Sequence, residues 1–307
     1  MKKVSLILIA ALFAALSSCS KSETYESPKF NDVSLEIEEN SVCFSAKVNF
    51  IGKANLVLDI ATMKDMSDLQ QYEMTKTDDY SYAVNVKNLD ENQGYWYRIT
   101  ASNDNFTIST EIKPFTITTD LLKYDEGYGN YTRVGKPSGG KKEWAVMFPV
   151  SMLEGYTGGG ISKVTVVVGE EGDYTVRIYK GGTKEPTSLV KTKAFEAAED
   201  MQRCVIEFLP ISFSTSEPLW ISIVSNYEPG QYPAVTGTGC NNANARWTRD
   251  NDGAWKDAST LFDPERDISW LISATVVYID NEGKRVESEL SPYSGVEHAE
   301  HIMDCAE

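Results

Sequence analysis

Beyond residue 28 apolar side chains recur at every second position, and no long stretch carries the 3.6-residue repeat of an amphipathic helix. Val33, Leu35 and Ile37 alternate with Ser34 and Glu36, and 42–48 alternate less strictly. The pattern continues through 55–60, 80–86, 95–101 and 106–112, between clusters of Gly, Asn and Asp. Six or seven short strands in about 90 residues predict a small antiparallel sandwich. Residues 63–69 read as a short helical turn or loop. From 121 the strands lengthen and the loops between them grow. Strands are expected at 161–168, 174–179, 204–208, 219–224 and 270–278, with turns at 169–172 and 181–182. A long Gly- and Asn-rich stretch fills 226–256. An all-β module of about 150 residues with such loops predicts a jelly roll.

The first residues follow a different rule. Met1, Lys2 and Lys3 are followed by an apolar run over 4–16, too short to span a bilayer and flanked as a secretory leader is. Leu16-Ser17-Ser18-Cys19 resembles the lipobox of bacterial lipoproteins. That resemblance implies cleavage before Cys19 and acylation of its thiol, with no disulfide role for this residue. Residues 20–28 are polar and aperiodic and read as a tether. Ser20 stands where an Asp would imply inner-membrane retention, so outer-membrane anchoring is expected, on the cell-surface or periplasmic face.

Residues 89–101 begin with Leu89, pass a polar turn, and open a strand with Tyr95. This segment resembles the tyrosine corner of fibronectin type III domains, which implies that the Tyr95 hydroxyl ties back to the turn backbone. Tyr97, Ile99 and Ala101 would share its face, and 103–105 would form the next hairpin turn. The early tryptophan common in that family is missing. Ala145-Val146-Met147-Phe148-Pro149, Leu153, Tyr156, Tyr174 to Gly182, Leu219-Trp220-Ile221-Ser222-Ile223, Tyr232-Pro233-Ala234, Trp255 and Ser269-Trp270-Leu271-Ile272 follow one another in an order similar to the cleaved-adhesin modules of gingipain-type proteases. Some relatives bind calcium, but their acidic loops do not map here, and Asp125, Asp173 and Asp267 stay unassigned. The fold expected is all-β: a fibronectin type III/Ig-like sandwich followed by a larger jelly-roll β-sandwich. The divisions are a leader over 1–18, a lipidated tether over 19–28, sandwiches over 29–119 and 120–280, and a tail over 281–307.

Charge and composition narrow the chemistry. The chain of 307 residues has 29 Lys and Arg against 45 Asp and Glu, a net charge of −16, so it lacks the basic footprint of a nucleic-acid binder. Its two histidines, His298 and His301, fall beyond the last strand, leaving no Ser or Cys nucleophile a base. If helical, they and Cys305 would share a face as a zinc or copper site; a polar, frayed tail is the expectation instead. Gly158-Gly159-Gly160 precedes a strand rather than a helix and reads as a turn, not a phosphate cradle. No two carboxylates are singled out as a hydrolytic pair, and no enzyme is expected. Cys43 reads as a buried free thiol, while Cys204 and Cys240 share a module and are able to pair.

The 226–256 stretch gathers aromatic and polar side chains suited to sugars: flat rings for C–H faces, and Asn, Asp and Arg for hydroxyls. Tyr232, Asn244, Arg246, Trp247 and Trp255 are the candidate ligand-binding residues, with plugging of the sandwich end as the competing role for the tryptophans. The expected function is adhesion or capture of an extracellular glycan or protein ligand, with the membrane reached through the lipid and no cofactor assigned, calcium being left open. The alternatives are a structural subunit of a surface complex and a non-catalytic accessory to a secreted hydrolase.

Overall fold

The computed structural model describes residues 27–39, 41–49, 54–124, 130–238, 240–261 and 267–281, with the backbone of 301–304. The leader, Cys19, Asp125, His298 and Cys305 lie outside the described residues, as do the side chains of 301–304.

The first sandwich comprises β1 (Lys29–Glu38), β2 (Ser41–Asn49), β3 (Asn55–Ala61), β4 (Gln70–Glu73), β5 (Thr75–Lys76), β6 (Ser81–Lys87), β7 (Gly94–Ser102), β8 (Thr107–Ser109) and the start of β9 (Lys113–Leu122). One sheet runs β1-β2-β6-β5; the facing strands run β4-β3-β7-β9, with β8 beside β7. Every second residue of β2 and β7 is buried, so Phe44, Tyr95, Tyr97, Ile99 and Phe115 form the core between the sheets. The Asp90 N–H donates to the Tyr95 hydroxyl at 2.8 Å, closing the corner the sequence implies. Cys43 is a free thiol but only half-buried, because it alternates with the core residues Val42 and Phe44 and faces the other way.

The second sandwich adds β10 (Thr132–Gly135), β11 (Gly140–Phe148), a helical turn (Val150–Leu153), β12 (Gly160–Val167), β13 (Gly172–Lys180), β14 (Ser188–Ala197), β15 (Arg203–Ser212) and β16 (Leu219–Tyr227). β17 (Ala234–Thr238), β18 (Trp247–Asp250), β19 (Lys256–Asp257), β20 (Ile268–Trp270), β21 (Ile272–Asp280) and β22 (His301–Asp304) complete it. A six-stranded sheet, β14-β13-β16-β11-β18-β19, faces β15-β12-β21-β9 across a core containing Trp144, Phe148, Ile221 and Trp270. The chain is therefore all-β, an Ig-like sandwich followed by a larger jelly-roll sandwich. Cys204, buried in that core, and Cys240 are both thiols rather than a disulfide. Burial pushes the Cys204 thiol up to about 11, which leaves it protonated and unreactive.

Two features depart from the sequence reading. The 119/120 boundary falls inside β9, whose first half pairs with β7 and whose second half pairs with β21. The two modules thus share one sheet, β15-β12-β21-β9-β7-β3-β4. Val277 and Ile279 of β21 complete the first module's core. The Gly triplet is a turn, as expected, and it also seals this junction. The Ile37 N–H donates to the Gly158 carbonyl at 2.8 Å. Gly158 has φ +73°, and a Cβ there would sit 2.7 Å from the Leu35 carbonyl oxygen. The second departure lies in the segment expected as a frayed tail, where 301–304 pair in parallel with 132–135. The open edge of β10 offers backbone groups that such a strand satisfies.

Candidate functional site

Pairing register fixes which side chains of the six-stranded sheet point away from the core. On β16, Leu219, Ile221 and Ile223 enter the main core, so Trp220 and Ser222 face the other way. Tyr179 pairs with Trp220, and Trp220 with Met147. One row along, Arg177, Ser222, Ala145 and Trp247 lie side by side, and beyond them Glu143 pairs with Arg249. This outer face carries its own small apolar cluster, separate from the core: Ala145, Met147 and Trp220, with Tyr179, Trp247 and Trp255 packed half-buried against them.

Trp220 is the fully buried centre. Its ring lies 5.2 Å from that of Trp247 and 5.8 Å from that of Trp255, and its indole N–H donates to the Gly182 carbonyl at 2.9 Å. The Trp270 indole, rooted in the core, donates to the Trp247 carbonyl at 2.8 Å and so fixes the short edge strand that presents Trp247. The Trp247 indole N–H is itself buried with no acceptor among the described residues. Trp247 and Trp255 therefore do not plug the end of the sandwich; they extend an aromatic surface on the far side of the sheet.

Beside the rings lies a buried acid. Glu143 is 2% exposed, yet four side chains converge on it. Arg249 donates from Nε and Nη2 at 2.9 and 2.6 Å, Arg177 from Nη1 at 3.2 Å, Tyr179 from its hydroxyl at 2.9 Å and Ser222 at 2.6 Å. A buried carboxylate is tolerated when its lone pairs are filled in this way. Burial works to lower the Arg177 pKa, but its bond to Tyr179 and the charge of Glu143 raise it overall. The Arg249 guanidinium also lies over the Trp255 ring, 4.8 Å from its centroid. Lys141 holds Asp252 through both carboxylate oxygens, and this bond draws the Asp252 pKa down.

On the opposite side of β18, Asp250 meets three lysines. Lys142, completely buried, reaches Oδ1 at 3.3 Å; Lys136 and Lys256 stand 3.7 and 3.6 Å from Oδ2, which accepts no hydrogen bond. Burial pushes the Asp250 pKa up, but the lysines, Lys142 foremost, outweigh it and hold the carboxyl below its ordinary value.

The structure divides the residues that sequence grouped. Trp247 and Trp255 come together; Asn244, Arg246 and Tyr232 serve other contacts. Asn242 accepts from the Asn244 N–H to start a short turn, and Arg246 ties Asp257 to Asn241 at 2.8 and 2.9 Å. The Tyr232 N–H donates to Glu170, in a corner that also holds Arg133. Arg249 belongs to the polar and aromatic stretch over 226–256 read as suited to sugars, and Arg177, Tyr179, Trp220 and Glu143 complete the face without having been singled out as site residues. Their signal was the odd phase of alternation: each interrupts an apolar strand at positions that must point outward. Among the described residues no group of three His, Cys, Asp or Glu side chains is placed to hold a metal.

No family model matches the chain, and no curated protein matches it. Among solved structures, the cysteine protease and lectin-like domains of Cwp84, a surface-layer-associated protein of Clostridium difficile, align at 11% identity and a TM-score of 0.34. That alignment covers 77% of this chain and 46% of the other, so the chain spans under half of that protein's length. Carbohydrate-binding modules of the β-sandwich superfamily align at 10% identity and a TM-score of 0.20, over 69% of this chain and 96% of theirs.

Proposed function

We propose that this chain is a non-catalytic capture protein, anchored through Cys19 to the bacterial outer membrane, that binds an extracellular glycan on the outer face of its six-stranded sheet. The observation that carries the reading is the convergence of Trp247, Trp255 and Tyr179 with Arg177 and Arg249 on one rigid face away from the core. Partly exposed rings offer flat apolar surface to a sugar, and the polar groups beside them are held in place before any ligand arrives, so little ordering cost accompanies binding. The order of apolar motifs resembling cleaved-adhesin modules supports a role outside the cell, and the lipobox-like segment supports the anchor.

The test is a glycan and matrix-protein array probed with the unlipidated chain from residue 20 to 307. Signal that survives Trp247→Ala and Trp255→Ala in a folded protein refutes the site; loss of at least tenfold in binding is expected. Labelled palmitate should enter the wild-type chain in cells and fail to enter Cys19→Ala, and equal labelling would refute the anchor.

One observation favours the assembly-subunit reading. Leu189, Val190, Val205 and Leu209 are exposed apolar side chains on β14 and β15, the outermost strands of the two facing sheets. A cleft of about 360 Å³ lined by Ile178, Val190, Ile211, Phe213 and Leu219 opens beside them. Stoichiometric co-purification of a protein partner, lost on Leu209→Lys, would move the assignment to that reading.

A further inference from the structure

The ligand class follows from how the charges on the face are arranged; this step rests on the reading of that face as a saccharide site. Two guanidiniums share one carboxylate. Arg177, Arg249 and Lys141 bring three positive charges to this face against two carboxylates, Glu143 and Asp252, the second acting on both guanidiniums, and the arginine side chains keep 25% and 20% exposure. A guanidinium has five N–H donors. Arg249 uses two on Glu143, from Nε and Nη2, and Arg177 uses Nη1 on Glu143 and Tyr179. Arg249 is further fixed flat against Trp255. Each arginine therefore keeps donors directed by a rigid anchor, next to a ring on which a pyranose can stack.

Lys136, Lys142 and Lys256 gather around Asp250 on the opposite side of β18, so the surplus on the aromatic face is the single charge of Arg177, Arg249 and Lys141 over Glu143 and Asp252, in a chain whose net charge is −16. A neutral sugar gains nothing from such an arrangement that Asn or Ser would not supply at lower desolvation cost. Planar anionic oxygens are what paired guanidinium forks recognise.

We infer that the saccharide taken by this face is anionic, with a carboxylate or sulfate received by Arg249 and Arg177 while its ring stacks on Trp255 and Trp247. Glu143 is a positioning residue: it does not meet the ligand but sets both forks.

The experiment is calorimetric titration of the unlipidated 20–307 chain at 150 mM salt, preceded by an array pairing acidic saccharides with neutral counterparts. Hyaluronan and polygalacturonate present carboxylates alone, chondroitin sulfate adds sulfate, and carboxyl-reduced hyaluronan is the neutral control. The expected result is acidic chains bound at least tenfold more tightly than the reduced form. Arg249→Gln should remove that preference and leave residual neutral binding; Arg249→Lys, which keeps the charge without the fork, should recover only part of it. Comparing the carboxylate and sulfate arms identifies which anion is received. Equal affinity for neutral and acidic chains, or a preference unchanged in Arg249→Gln, overturns the inference and leaves glycan capture standing. Silence toward every saccharide, from a chain whose circular dichroism shows it folded, overturns both.

Discussion

Buried charge is the unusual commodity at the residue scale. Glu143 and Lys142 are adjacent in sequence, point to opposite sides of β11, and are both almost wholly removed from water. Each is tolerated because its partners arrive on β18: Arg249 for Glu143 and Asp250 for Lys142. The second pair yields a pH prediction. The Asp250 pKa is depressed in the folded chain, so its contribution to stability is complete above the unfolded carboxyl value, near 3.9, and is lost as pH falls through the folded value. Asp250→Asn should destabilise the chain at pH 7 by about 3–5 kcal/mol, because it leaves Lys142 buried and unpaired. The gap to wild type should begin to narrow below about pH 4 and close once pH falls beneath the depressed folded value, where Asp250 is itself protonated. Urea titrations at pH 7 and pH 3 measure it; a gap of equal size at both would contradict the account. The same scale shows why part of the site was hidden in the sequence. Asn244 and Arg246 have the right chemistry for sugars, but a loop needs polar side chains for its own backbone and cross-ties, and sequence does not say which use prevails.

Alternation is strongly legible at the element scale, and its outward phase less so. The strands over 161–168, 174–179 and 219–224 all appear, the first shifted by one residue and the other two lengthened, as β12, β13 and β16. Which half of each alternation forms the core was readable; that Trp220, Tyr179 and Arg177 would meet Trp247 was not, since it depends on β18 returning beside β11 across about a hundred residues. The tyrosine corner was legible because its partners lie five residues apart. The contact of the Gly triplet with β1 was not, because nothing local to 158–160 points to a strand more than a hundred residues earlier. Gly158→Ala tests that contact. It forces a β-carbon against the Leu35 carbonyl and a side chain into positive φ, so a loss of about 1–3 kcal/mol is expected. Gly155→Ala, with nothing within 4 Å of its Cβ, is the control. Equal, negligible changes in both would show that the junction is not packed as described.

The shared sheet decides how the whole molecule behaves. A fibronectin-like module joined by a free linker would unfold independently of its neighbour. Here β9 belongs to both modules and β21 contributes to both cores, so loss of either removes structure from the other. Scanning calorimetry of the 20–307 chain should show one transition whose calorimetric and van't Hoff enthalpies agree. Two separated transitions would contradict the coupling. A coupled pair presents the six-stranded sheet at a fixed orientation to the rest of the molecule.

The central claim is that ligand meets the outer face of that sheet, and its tryptophans report on it directly. The chain has six, with six indole N–H resonances expected in a ¹⁵N-labelled sample. Trp144 and Trp270 lie in the core of the second sandwich and Trp96 is on β7 of the first, beneath Lys64. Titration with the saccharide retained most tightly on the array should shift the Trp247 and Trp255 resonances, assigned by their Phe variants, and leave Trp96 in place. A shift at Trp96 with Trp247 and Trp255 unmoved would place the ligand elsewhere and contradict the account.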